Sequence, residues 1–179
     1  LAELQFTAPR TTLIDGRGRR HTPWSTDIDA LRDYTLGAQG YFGYFGALAG
    51  PDRRGYYSFD VGGWHFIALN SLADLSTQSE QYLWLKTDLA NSGETLCTIA
   101  YWHHPAFSSG AKHGSIEAIS PFFDALYMAG VEMVLSGHEH IYERFAPQSA
   151  IGTADPARGV RQFVVGTGGR SHYAIPTTA

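Results

Sequence analysis

Five of the eight histidines of this 179-residue chain lie between residues 103 and 140, so imidazole side chains are concentrated in one part of the sequence. The first motif reads HHP and begins at His103, and the second reads GHEH and contains His138 and His140. Imidazole nitrogen suits zinc, iron or manganese, whereas calcium and magnesium prefer oxygen ligands. These residue types and their spacing predict a metal site built from His103, His138 and His140.

Both motifs follow short apolar segments that favour β-strands. Residues 96–103 read LCTIAYWH, which suits a strand covered on both faces, and residues 131–135 read VEMVL. If these strands are parallel neighbours, their carboxyl ends lie at one edge, where open α/β sheets carry their sites. In an extended segment His138 and His140 point the same way, and Gly137 is expected to let the chain turn sharply.

The other elements predict a layered α/β fold. Residues 56–60 and 64–70 form a predicted β-hairpin, and residues 76–90 a helix with Thr77 and Glu80 as its capping box. Ser120 is the predicted N-cap of a second helix, which ends at Gly130. A last strand at residues 162–165 runs into GTGG, which either cradles phosphate or forms a tight turn.

Charge and hydropathy exclude several classes of protein. The formal net charge of −4 has the wrong sign for electrostatic capture of nucleic acid, so no nucleic-acid patch is expected. No stretch approaches the roughly 18 apolar residues of a membrane span, and the first residues show no signal-peptide pattern. Localisation and oligomeric state are left open. His21, His65 and His172 are expected to be surface or hydrogen-bonded core residues.

Two longer motifs carry a resemblance to a known family. The stretch YWHHPAFSSG followed by VEMVLSGHEHIYER resembles the C-terminal half of a calcineurin-like metallophosphoesterase, of the purple acid phosphatase-like branch. The resemblance runs from about Gly40 to Gly169. It implies a partial metallophosphoesterase β-sandwich flanked by helices, with the N-terminal strands missing or replaced, and it implies hydrolysis of phosphate esters. Secretion is compatible with it.

The resemblance also implies roles for individual residues. His103 and His138 correspond to ligands of one ion and His140 to a ligand of the other, while His104 is only a neighbour. His113 stands where acid phosphatases place a histidine that contacts the substrate phosphate, and the alternative is a solvated loop residue. Tyr142, Glu143 and Arg144 are expected to brace the loop.

The carboxylate motifs of the family's N-terminal half are absent from the sequence. The dipeptide Gly-Asp does not occur, and Leu31 and Arg32 stand where the family has Asn and His. Imidazole ligands are neutral and cannot offset the repulsion between two dications. The resemblance implies that the complete site holds two ions of iron, zinc or manganese, whereas this chain is expected to bind at most one, weakly.

Three interpretations follow from this departure. Residues 1–39 are an irregular segment not native to the fold, and residues 40–179 are the C-terminal half of a metallophosphoesterase domain; this interpretation is favoured because the pattern after Gly40 is intact. The alternative is a catalytically inactive scaffold or interaction domain on the same fold. A metallo-β-lactamase-like hydrolase is disfavoured, because its His-x-His motif continues to an Asp-His pair and here Ile141 and Tyr142 follow.

Overall fold

The computed structural model describes residues 13–14, 20–21, 39–92, 97–168 and 171–174. Two short strands form a separate antiparallel pair, and the rest of the described chain builds a six-stranded sheet with helices. In chain order the elements are β1 Leu13–Ile14, β2 Arg20–His21, α1 Gln39–Phe45, β3 Tyr57–Val61, β4 Trp64–Ala68, α2 Glu80–Asn91, β5 Cys97–Tyr101, α3 Ser120–Met128, β6 Met133–Ser136, β7 Tyr142–Arg144 and β8 Arg161–Val165.

The large sheet has the strand order β3-β4-β5-β6-β8-β7. Strands β4, β5, β6 and β8 are mutually parallel, whereas β3 and β7 pair antiparallel at the two edges. The predicted hairpin and the predicted parallel pairing of β5 with β6 are confirmed, as is the layered α/β fold. The carboxyl ends of the four parallel strands therefore meet at one edge of the sheet.

Two details of the helix boundaries differ from the sequence prediction. Helix α2 is capped by Ser79, whose hydroxyl accepts a hydrogen bond from the amide of Tyr82 at 3.2 Å, so the predicted cap at Thr77 was wrong. Ser120 is the first residue of α3 and makes no capping bond. A serine that is followed by proline satisfies the sequence rule for a cap, but a 3₁₀ turn at Glu117–Ile119 leads directly into this helix.

Helices α2 and α3 cover one face of the sheet. Leu85 of α2 and Phe122 and Leu126 of α3 are fully buried and share a core cluster with Ile67 and Val134 of the sheet. Burial of each such side chain stabilises the fold by about 1.5–3 kcal/mol. No helix among the described residues is long and apolar enough to cross a membrane.

The opposite face of the sheet is apolar but only partly covered. Phe59 is 42% exposed and Val61 58% exposed on the edge strand, and Trp64 beside them is 37% exposed. Strand β5 is not enclosed, because only Ala100 on it is fully buried and its other four residues are partly exposed. The prediction that this strand is covered on both faces was therefore wrong: within the described chain the helices supply cover from one side.

A buried histidine ties the hairpin to helix α2. The Nδ1 atom of His65 lies 2.6 Å from a carboxylate oxygen of Asp60, and its Nε2 atom lies 2.9 Å from one of Asp88. Ser58 donates a further hydrogen bond of 2.5 Å to Asp88. Burial alone would lower the pKa of His65, but the hydrogen bonds to the carboxylates of Asp60 and Asp88 outweigh burial and raise it. The expectation of a hydrogen-bonded core residue is confirmed.

This network predicts a pH-dependent contribution to stability. Because the folded-state pKa of His65 is raised, its contribution is complete below the unfolded-state pKa of about 6.5 and disappears as the pH rises through the folded-state value. We expect His65→Gln to lower the free energy of unfolding at pH 6 by about 2 kcal/mol, and by less at pH 9. Urea unfolding at both pH values measures this. The exposed His172→Gln is the matched control, and an equal loss at both pH values would contradict the prediction.

Candidate metal centre

Three histidine rings converge where strands β5 and β6 end. The Nε2 atom of His103 lies 3.0 Å from the Nδ1 atom of His138. The ring of His104 is centred 4.4 Å from that of His138. One nitrogen of each of these three residues lies within 4.8 Å of the other two, the spacing of a shared metal ion. The structure thus brings together His103 and His138, as predicted, and adds His104.

The segment that carries His138 is folded into tight turns rather than extended. The amide of Glu139 donates to the carbonyl of Gly137, and the amide of Ile141 to that of Glu139, each at 2.8 Å. The residue with positive φ is His138, at 65°, and not Gly137. The expectations of an extended segment and of a sharp turn at Gly137 were therefore wrong. The hydrogen bond from Glu139 to Gly137 closes a three-residue γ-turn. In such a turn the central residue takes the strained positive-φ conformation, and here that residue is His138.

The three clustered imidazoles are suited to hold a metal ion. Burial, aided by the repulsion of the neighbouring histidines, lowers the pKa of His103 to about 4 and that of His138 to about 3. The pKa of His104 is lowered as well, by burial and by His113. All three rings are therefore uncharged at neutral pH, with lone pairs available to a metal. The donor set is purely nitrogen, which fits zinc, iron or manganese better than calcium or magnesium.

His140 lies outside this cluster and faces a tyrosine. Its Nδ1 atom donates a hydrogen bond of 3.0 Å to the carbonyl of Ser171, so Nε2 is the ring nitrogen that remains for a metal. Its ring stacks on Tyr173 with centroids 4.2 Å apart. Tyr173 also lines a depression of about 450 Å³ with Lys112, whose ammonium lies 4.9 Å from the tyrosine ring centroid. No sequence pattern pointed to Tyr173, because it follows the last strand in an irregular segment.

The structure places His113 beside the cluster. Its ring is centred 4.2 Å from that of His138, and its Nε2 atom is hydrogen-bonded to the hydroxyl of Tyr173 at 3.2 Å. The side chain is exposed, so a ligand can reach it. The loop before it is braced by Glu143, whose carboxylate accepts hydrogen bonds from Ser108 and Ser109.

Gly166 and Thr167 form a tight turn after β8, and Gly166 and Gly168 differ in their surroundings. A side chain at Gly166 would overlap the backbone carbonyl of Glu139, whereas a Cβ atom at Gly168 would meet nothing within 4 Å. Close packing of two backbones thus explains the first glycine of the pair. The phosphate-cradle alternative has no helix within residues 171–174 to support it.

This difference predicts unequal effects of two alanine substitutions. We expect Gly166→Ala to lower the free energy of unfolding by about 1–3 kcal/mol, because the turn and the Glu139 backbone must separate. Gly168→Ala is the matched control and should change stability by less than about 0.5 kcal/mol. Thermal unfolding followed by circular dichroism measures both. Equal losses from the two variants would show that Gly166 does not carry this contact.

Comparisons with known proteins agree with this geometry. The family model of the calcineurin-like phosphoesterases matches residues 12–142, which includes both histidine motifs and begins ahead of Gly40. Purple acid phosphatase 18 of Arabidopsis thaliana is 36% identical over 125 residues, which cover 68% of this chain and 28% of that protein. Probable inactive purple acid phosphatase 9 of the same plant is 33% identical over 110 residues, or 56% of this chain and 16% of that protein.

A solved structure shares the fold. Purple acid phosphatase PPD1 from yellow lupin seeds superimposes with a TM-score of 0.64 and 21% sequence identity, covering 73% of this chain and 26% of the lupin chain. The chain therefore spans between about a sixth and about a quarter of the length of these relatives. On the extent of the family match, the chain belongs to the calcineurin-like phosphoesterase family.

Proposed function

We propose that this protein hydrolyses phosphate esters with the help of metal ions bound at the strand-end histidines. The observation that carries the proposal is the cluster of His103, His104 and His138, whose nitrogens lie within 4.8 Å of one another at the carboxyl edge of the sheet. Membership of the phosphoesterase family supports the same reaction class. The substrate is a phosphate ester, with its reacting group beside His138 and His113.

Each residue has a role in this proposal. His103 and His138 bind one ion, and His140 binds the second through Nε2. His113 contacts the substrate phosphate, which its exposure and its position 4.2 Å from the ring of His138 allow. Bound metal ions lower the pKa of a water molecule and screen the charge of the phosphoryl oxygens. The chain's own part is to hold neutral imidazoles in place and to orient the phosphate.

The balance of charge limits what these residues can bind. Within the described part of the chain the metal-ligand cluster contains histidines and no carboxylate. We propose that the complete site is dinuclear and that the two-ion roles given above belong to it. Two dications need anionic ligands between them, so the described residues alone hold one ion weakly. The same observation supports a second candidate, an inactive binding or scaffold domain on this fold.

Alanine substitutions at the cluster should rank the ligands. We expect His103→Ala and His138→Ala each to weaken zinc binding by about 100-fold or more, because each removes a metal bond. His104→Ala should weaken it by roughly tenfold, the effect of a neighbouring group. Competition with a chromophoric chelator measures the dissociation constants. A loss at His104 as large as that at His103 would make His104 the third ligand, and unchanged affinity in all three would contradict a metal site here.

Turnover separates the enzyme from the scaffold. The protein loaded with zinc, manganese or iron should hydrolyse p-nitrophenyl phosphate, and His138→Ala should abolish this activity. The matched control is His172→Ala, since His172 is exposed and its Nε2 atom donates a hydrogen bond to the carbonyl of Thr167, away from the cluster. Metal binding without turnover in any of the three loaded forms would support the inactive domain instead.

A further inference from the structure

We propose that Glu139, the residue between the two histidines of GHEH, is the positioning residue that holds His113 at the phosphate-binding side of the cluster. The inference rests on the proposed function, because it assigns to His113 the contact with phosphate. Glu139 is a buried acidic residue outside the metal-ligand cluster, and no sequence motif assigns it a role.

The carboxyl group of Glu139 is fully buried and is satisfied by backbone donors. One oxygen accepts a hydrogen bond from the amide of Lys112 and the other from the amide of His113, each at 2.9 Å. Hydrogen bonds to a carboxylate are stronger than those between neutral groups. Consecutive amides bonded to two oxygens of one rigid group fix the orientation of the peptide that carries the His113 side chain.

Close packing holds both the side chain and the backbone of Glu139 in place. A Cβ atom at Gly110 would overlap the carboxyl group, so the loop approaches it as closely as glycine permits. On the other side, the backbone carbonyl of Glu139 lies against Gly166 of the GTGG turn. The Glu139 side chain therefore has little room beside Gly110 to adopt another rotamer, and a side chain at Gly166 is expected to displace the Glu139 backbone.

This arrangement joins the two halves of the proposed site. His138 directs its ring into the metal-ligand cluster, and the next residue directs its carboxyl group into the loop that carries His113. Because Glu139 and His138 are consecutive, the backbone segment that positions the metal ligand also positions His113, at a centroid distance of 4.2 Å between the two rings. The buried side chain of Glu139 thus sets the distance between metal ligand and phosphate contact.

The first experiment follows the loop in the metal-free chain. Glu139→Gln keeps the side-chain shape but replaces one accepting oxygen by an NH₂ group, which cannot accept from an amide. We expect faster hydrogen exchange at the amides of Lys112 and His113, and NMR shifts of the His113 ring that move toward those of an unstructured histidine. Gly110→Ala should give the same changes by displacing the carboxyl group.

The matched control is Glu132→Gln, because the Glu132 carboxylate also accepts a hydrogen bond from a backbone amide, that of Thr98 at 2.8 Å, but on strand β5 away from the loop. This variant should leave the His113 signals unchanged. Unchanged signals in Glu139→Gln as well would overturn the positioning role, whether or not the protein binds metal or phosphate.

The second experiment measures binding of inorganic phosphate to the zinc-loaded protein by calorimetry. We expect Glu139→Gln to weaken phosphate binding by roughly tenfold, as loss of a charge-assisted hydrogen bond would, with the zinc dissociation constant unchanged. His113→Ala should weaken phosphate binding to a similar extent. The double variant should be no weaker than His113→Ala alone, because both changes remove the same contact.

Several results would overturn the inference. Additive losses in the double variant would show that Glu139 acts on phosphate independently of His113. Loss of zinc binding in Glu139→Gln would show a general structural role. If the unsubstituted protein binds neither zinc nor phosphate, the proposed function fails, and the exchange and ring-shift measurements still decide whether Glu139 holds the His113 loop.

Discussion

The candidate site depends on one backbone hydrogen bond between two strand ends. The amide of Gly137 donates to the carbonyl of His103 at 2.9 Å, which extends the parallel pairing of β5 and β6 past the last residues of both strands. The amide of Trp102 bonds the carbonyl of Leu135 one step earlier, at 3.1 Å. Parallel pairing brings the carboxyl ends of β5 and β6 together. The two hydrogen bonds beyond the strands extend this pairing to the first histidine of each motif, His103 and His138. Without it, His103 and His138 would belong to two unrelated loops.

The carboxylates near the site serve the architecture rather than the cluster. Glu139 and Glu143 both accept hydrogen bonds from the loop that ends at His113, and neither belongs to the group of potential metal ligands. The cluster itself consists of rings whose pKa values burial lowers. The result is a region with available lone pairs and little negative charge of its own. Such a region favours a metal ion less than a mixed site of histidine and carboxylate does.

The sequence predicted the larger features of this arrangement because their signals are periodic or local. Apolar runs predicted the strands, and glycine pairs and prolines predicted the turns. The expected parallel pairing of β5 with β6 was enough to place His103 beside His138. His104 joins the cluster although the family resemblance makes it only a neighbour, since adjacent residues past a strand end need not alternate as they do within one. Tyr173 could not be predicted, because its contact with His140 depends on the path of an irregular segment.

The caps and turns of the chain show where local patterns fail. Thr77 and Ser79 both satisfy the composition of an N-cap, and the choice between them depends on where the chain enters the helix. The tight turns around His138 also escaped prediction, because glycine at position 137 is the more obvious residue for a positive φ, and the structure gives that conformation to the histidine. The contacts of Glu139 are of the same kind, as they join residues 26 and 27 positions apart in sequence.

The positive φ of His138 limits which residues evolution can place there. A left-handed backbone conformation is costly for most side chains, and asparagine, aspartate and histidine tolerate it best after glycine. Of the common metal-binding residues, cysteine and glutamate are poorly suited to this position, however well their atoms would bind an ion. Backbone geometry therefore restricts the metal ligand at this position to the nitrogen of histidine or the short oxygen ligand of asparagine or aspartate. Relatives that share this turn are expected to differ in metal preference only as far as these ligands allow.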